Sequence, residues 1–335
     1  MCLMVFVMIV LGGATRLTGS GLSIMEWAPL SGALPPWSNA EWQRLFALYQ
    51  RIPQYELINK DFGIDGFKRI FWLEWSHRLW GRLIGLVFVV PLLVLAWRGA
   101  IERRLLPRLA LLFVLGGLQG AVGWFMVASG FLPDSTSVSP TRLVVHLVLA
   151  LVLYAALLWT GMSVWRPASP GSAPVGLRRL IGGTGVLAAL TIVAGGFVAG
   201  THAGLAYNSF PLMDGRIVPD GYAMLRPFWR NLAENIAAVQ FNHRALATMT
   251  AGLALVTTVH GLRTIPAGPA RPWLLALAGA VVLQYGLGIA TLIAVVPIGL
   301  ATAHQAGAVL LLTALIAVQH AMRPSYPLSP TEDLK

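Results

Sequence analysis

Apolar residues in this chain run in blocks too long for a soluble core. LIGLVFVVPLLVLAW at 83–97 and LVVHLVLALVLYAALL at 143–158 each carry at most one polar side chain. About 20 such residues in helical form cross the hydrocarbon of a bilayer, where every backbone polar group must be satisfied within the segment. Eight stretches approach that requirement, at approximately 1–15, 72–97, 105–129, 140–165, 178–200, 236–262, 273–295 and 298–321. The expected fold class is an all-α polytopic membrane protein with eight transmembrane helices. Composition agrees. Only 11% of residues are charged, about half the share in a soluble domain. The first apolar run lacks the basic leader of a signal peptide and is short for a span. Either that helix tilts and recruits flanking residues, or the natural chain starts upstream of Met1.

The net charge of +11 has a membrane explanation rather than a nucleic-acid one. Arg98, Arg103, Arg104 and Arg108 separate spans two and three. Arg166, Arg178 and Arg179 separate four and five, and Arg263 and Arg271 separate six and seven. The opposite short connections, FLPDSTSVSP and VVPIG, contain no Lys or Arg. Basic short loops stay cytoplasmic, so both termini are expected in the cytoplasm. Two long segments, 16–71 and 201–235, then lie outside. They are rich in Trp, Pro and Gly and read as ordered caps, with a short amphipathic helix around EWQRLFALYQ. Cys2 is the one cysteine, so an intrachain disulfide and a CxxC motif are both excluded.

The chain repeats itself. IVLGGATRLTGSGL at 9–22 aligns with IVAGGFVAGTHAGL at 192–205, and LEWSHR at 73–78 with VQFNHR at 239–244. QGAVG at 119–123 aligns with QYGLG at 284–288, and His146 with His304. The expected organisation is two tandem, pseudo-symmetric four-helix bundles, 1–170 and 171–325, followed by a disordered tail at 326–335. Four packed helices leave a core site in each unit.

Four histidines occupy that pattern: His77 on span two, His146 on four, His243 on six and His304 on eight. Each lies near the outer end of its span, one pair per repeat. Ionisable residues inside spans point to function, and two imidazoles offered at one depth from facing helices can ligate a planar iron macrocycle. The blander alternative is four hydrogen-bonding core histidines. Zinc fits poorly, since two histidines per unit leave a closed site short of ligands. Arg78, Arg82 and Arg244 are candidate contacts for a macrocycle's carboxylates, or else reach for lipid headgroups. His202, matched by Gly19 in the first copy, is a further candidate, or a loop cap. His260 and His320 lie about 25 Å along their helices from His243 and His304; Arg263 and Arg323 close behind them mark the membrane edge and disfavour another cofactor there.

The copies differ at one informative place. Glu74, on the helix face of His77, is Gln240 in the second copy. That suggests acid–base chemistry in the first unit and electron transfer in the second. The alternative is an interfacial carboxylate paired with Arg78 or Lys68.

GGATRLTGSGLSIMEWAPLSGALPP, FKRIFWLEWSHRLWGRLIG, GTHAGLAYNSFPLMDG and FNHRALA together resemble the haem A synthase family, over almost the whole chain. The resemblance is to the proteobacterial and mitochondrial class. Gram-positive members carry a cysteine pair in the first outer loop, which this loop lacks. The resemblance implies oxidation of the C8 methyl of haem O to a formyl, giving haem A for cytochrome oxidase. It implies His77 and His146 flanking the substrate haem, His243 and His304 as axial ligands of a haem b cofactor, and Glu74 as the catalytic carboxylate, with the sites toward the periplasm. Haem O synthase and an unidentified redox partner are implied as neighbours, and the sequence is compatible with a homo-oligomer. The competing reading is a diheme b-type electron carrier without substrate chemistry; a haem permease is a third.

Overall fold

The computed structural model describes residues 1–165, 173–268 and 270–323. The expected tail at 326–335 and Arg166 lie outside the described residues. Ten α-helices are present among those described: α1 Cys2–Leu17, α2 Asn39–Tyr49, α3 Pro53–Leu57, α4 Ile64–Trp97, α5 Leu106–Ala128, α6 Pro140–Trp165, α7 Val175–Gly200, α8 Ile236–Thr264, α9 Ala270–Ile293 and α10 Ile298–Ala321. Seven of them, α4 to α10, are long and apolar enough to cross a membrane. The chain is therefore a multi-pass membrane protein. The apolar α1 has 16 residues and is shorter than each of those seven.

Packing follows the chain order and closes twice. α1 packs on α4, α4 on α5, α5 on α6, and α6 returns to α1. α7 packs on α8, α8 on α9, α9 on α10, and α10 returns to α7. α6 and α1 join the two sets by packing on α10, and α6 also touches α7. Leu177, Ile181, Leu274, Leu277 and Val318 fill the core of the second set. Val5, Ile9, Leu153 and Tyr154 fill that of the first and reach Val309 on α10.

The helix expected from residue 72 begins earlier, at Ile64. Its extra turns precede the apolar block and bury Phe67, Ile70 and Phe71 against Trp42, Leu45 and Tyr49 of the 16–71 segment. An amphipathic extension of that kind is invisible to a search for continuous apolar runs. α2 is set by Ser38, whose side chain accepts from the Glu41 N–H, a helix-start arrangement also favoured by the acid three residues on. Asn235 caps α8 through the Ala237 N–H at 3.0 Å.

Candidate functional site

Glu74, Arg78 and His77 share a face of α4 because residues three and four apart meet on a helix. Glu74 is buried, 3% exposed. Its Oε1 accepts from Arg78 Nε at 2.6 Å. The other Arg78 nitrogens donate to the backbone carbonyls of Ile24 at 2.9 Å and Glu26 at 2.8 Å, and the guanidinium lies 5.8 Å from the Trp124 ring centre. Lys68 takes no part: it faces Asp65 at 3.9 Å and lies over Trp42. Among the described residues Glu74 Oε2 accepts no hydrogen bond. His77 Nδ1 stands 3.9 Å from it, beyond hydrogen-bond range. His146 stands on α6, which packs on both α1 and α5. The Gln119 amide approaches the His146 ring nitrogens at 3.2 and 3.3 Å and donates to the His146 carbonyl at 3.0 Å.

The second copy uses the same scaffold differently. Arg244 donates to the carbonyls of Tyr207 and Ser209, which continue the 9–22/192–205 alignment onto Ile24 and Glu26. Gln240 accepts from Arg244 at 2.8 Å, as Glu74 accepts from Arg78. Its amide nitrogen then donates to the carbonyls of Ala203, at 2.7 Å, and Ala206. A carboxylate has no proton for such bonds. Gln240 is thus engaged at both ends, whereas Glu74 holds one oxygen in reserve.

His243 Nδ1 lies 3.0 Å from the Thr191 carbonyl. A carbonyl only accepts, so Nδ1 carries the proton and Nε2 keeps its lone pair. The His243 and His304 ring centres are 6.5 Å apart and the planes cross at 79°. With metal–nitrogen bonds of about 2 Å, two imidazoles on opposite sides of one iron stand ~6 Å apart, centre to centre. Among the described residues His304 Nδ1 is buried short of a full hydrogen bond and faces the Gln284 backbone. The residues present therefore fit an iron macrocycle between α8 and α10.

Each histidine is seated on a glycine of a neighbouring helix. A Cβ at Gly123 would lie 2.9 Å from His146, at Gly195 2.9 Å from His243, at Gly288 2.9 Å from His304, and at Gly12 3.2 Å from His77. Gly12 and Gly195 occupy equivalent places in the repeat, as do Gly123 and Gly288. The glycines of QGAVG and QYGLG were visible in sequence, but their role as ring seats was not.

Two expected residues have other partners. Arg82 donates to the carbonyls of Ala28 and Pro29, both at 2.9 Å. His202 Nε2 lies 2.8 Å from Arg16, which also binds the Ala199 carbonyl at 2.6 Å. His202 and its counterpart Gly19 both adopt left-handed backbone, at φ 55° and 67°, so the repeat extends to this turn. Desolvation, reinforced by the Arg16 charge, holds the His202 imidazole below its ordinary pKa. His320 packs edge-on against Trp159 and lies 3.3 Å from Ser163, while His260 is exposed.

The family model for COX15-CtaA, described as cytochrome oxidase assembly protein, matches residues 1–316. A protein named heme A synthase from Granulibacter bethesdensis is 64% identical over 324 residues, 96% of this chain and 85% of that protein. The heme A synthase of Nitrosospira multiformis is 47% identical over 96% of this chain and 91% of its own length. Heme A synthase 2 of Acidiphilium cryptum is 47% identical over 91% of this chain and 85% of its own length.

Proposed function

The chain belongs to the COX15-CtaA family of cytochrome oxidase assembly proteins, and from that premise we propose how its residues divide the labour of a haem A synthase. The protein is an oxidoreductase that converts haem O to haem A, and it binds haem. In our reading α1 is an eighth span. The helices form two tandem four-helix bundles, 1–170 and 171–325, with both termini cytoplasmic and the histidines toward the periplasm.

In the second bundle His243 and His304 hold a haem b. Its iron supplies one-electron redox chemistry when bound. Thr191 fixes the His243 tautomer, and Gly195 and Gly288 leave room for the rings. Gln240 and Arg244 use their hydrogen bonds to fasten the outer loop, and an amide at the place of Glu74 has no carboxylate oxygen to take up a proton.

In the first bundle His77 and His146 flank the substrate, haem O. Turning its C8 methyl into a formyl, written with water as the source of the oxygen atom, is R–CH3 + H2O → R–CHO + 4 H+ + 4 e−, with the electrons leaving to a redox partner. Glu74 accepts the protons one at a time on Oε2 and passes each on to water while Arg78 holds Oε1. The observation that carries this assignment is the unbonded Glu74 oxygen, set against the fully bonded Gln240. Arg78, Arg82 and Arg244 serve the site mainly by clamping loop carbonyls, and a haem carboxylate would compete for those same guanidinium groups. A redox partner in the membrane completes the electron path, with haem O synthase as the source of substrate.

Expression of the full chain in cells that make haem O, followed by haem extraction, chromatography and mass analysis, tests the reading. Haem A is expected. Recovery of haem O and haem b alone would favour a diheme electron carrier and reject the synthase reading.

A further inference from the structure

Residues 27–37, WAPLSGALPPW, contain no charge, yet they lie in an outer segment and expose their largest side chains. Leu30 is 87% exposed, Leu34 69% and Trp37 81%. Each end of the stretch is held: Trp27, itself half exposed, stacks on Trp124 with ring centres 6.1 Å apart, and beyond Trp37 α2 buries Trp42, Leu45 and Tyr49. The exposed stretch is a fixed feature between two anchors.

Arg82 sets its height. Counting about 20 residues outward from Arg98, which follows the end of α4, places the outer edge of the hydrocarbon near Arg78. Arg82 lies one turn deeper. Helical side chains lean toward the N-terminus, so its guanidinium reaches back up to that edge, where it holds the carbonyls of Ala28 and Pro29. Gly32 makes the fit, because a Cβ there would come within 3.0 Å of the guanidinium. The clasp thus draws residues 28–34 down to the level of the membrane surface.

The backbone suits that place. The N–H groups of Gly32, Ala33 and Leu34 close a tight turn on Ala28, Leu30 and Ser31. Pro29, Pro35 and Pro36 have no N–H to satisfy. Six of the eleven residues thus present no free backbone donor, which lowers the cost of setting irregular backbone at the edge of the lipid, where headgroup water can serve the rest. The second copy lacks the device. Arg82 is matched by Thr248, which bonds Tyr285. The loop there is charged, with Arg216 and Asp220 paired at 2.6 Å.

We propose that residues 27–37 form a lip that rests on the outer leaflet beside the first bundle, pinned by Arg82, with Leu30, Leu34 and Trp37 inserted among the lipids. The partner is the bilayer itself. An uncharged, proline-stiffened edge with aromatic and leucine side chains matches the composition of membrane-interface anchors.

The single native cysteine makes the test direct. In a Cys2→Ser background, Leu30→Cys and, separately, Lys60→Cys are labelled with an environment-sensitive fluorophore in lipid nanodiscs containing no other protein. At position 30 the emission should be blue-shifted and quenched several-fold more by spin-labelled lipid than by aqueous iodide, with the reverse at the exposed position 60. Adding Arg82→Gln should move the position-30 label toward the aqueous pattern, with haem content recorded to show that the protein remains folded. Iodide quenching at position 30 equal to that at position 60 would overturn the proposal and point to a protein partner for this edge. Lipid quenching at position 30 unchanged by Arg82→Gln would overturn the role of the clasp. Should Arg82→Gln lose its haem and fail to fold, position 30 in the Arg82 background still decides lipid contact.

Discussion

Gly288→Ala is the sharpest probe of how the histidines are held. The new Cβ would stand 2.9 Å from His304 Cε1, where carbon atoms prefer about 3.5–4.0 Å. The ring must shift by roughly 0.5–1 Å, and overpacking of that kind costs about 1–3 kcal/mol. An alanine in place of a helical glycine returns up to ~1 kcal/mol of stability. Without a bound haem the ring can turn aside, so the clash is felt mainly in the liganded geometry. At 1.4 kcal/mol per factor of ten, haem affinity should fall roughly 5- to 150-fold. Gly286→Ala, two residues away on the same helix, meets nothing within 4 Å and receives only the propensity gain. Haem titration of the purified proteins, with haem and protein quantified together, reads the difference. Equal affinity in the two variants would refute the idea that Gly288 seats His304.

Three further outcomes follow from the same contacts. Gln240→Glu removes the donors to the Ala203 and Ala206 carbonyls; at about 1–3 kcal/mol for each buried acceptor left unpaired, the variant should melt well below the parent and gain no second catalytic site. Arg78→Gln leaves Glu74 buried without its cation; breaking such a pair costs about 3–5 kcal/mol, seen as a lower melting temperature that Arg78→Lys only partly restores. His202 titrates lower when folded than its ordinary pKa of about 6.5, so the unfolded chain binds the extra proton first as pH falls, and stability should decline below that value. His202→Gln still accepts from Arg16 without titrating, so its melting temperature should fall less steeply than the parent's between about pH 7.5 and about pH 5.5, the other histidines contributing equally to both proteins; identical slopes in the two proteins would discard the His202 assignment.

What could be read from the sequence depended on where the signal lay. Long apolar blocks gave helix positions to within a few residues for α5 to α10, because hydrocarbon thickness dictates length. The repeat was legible because His77 and His243, or Gly12 and Gly195, keep their identity at matched positions. The Glu74/Gln240 difference was visible for the same reason. The partners that give the difference its meaning were hidden. Ala203, Ala206, Ile24 and Glu26 take part through backbone carbonyls, which leave no mark in side-chain identity. Arg16 and His202 meet across the seam between α1 and α7, a contact set by tertiary packing. The first turns of α4 escaped because Phe67, Ile70 and Phe71 alternate with polar residues and bury only one face. Arg82 reads in sequence as either a carboxylate contact or a lipid-facing arginine, because an arginine in a span advertises charge, and charge alone does not mark the loop carbonyls of Ala28 and Pro29 as its partners.

The central claim is that one scaffold, built twice, is catalytic only where a carboxylate keeps a free oxygen. The most direct measurement is the haem content of Glu74→Gln purified from cells that make haem O. Haem b should remain bound, haem O should accumulate, and haem A should be absent. Haem A at the parent's level would contradict the account, because the amide would then be doing everything assigned to the acid.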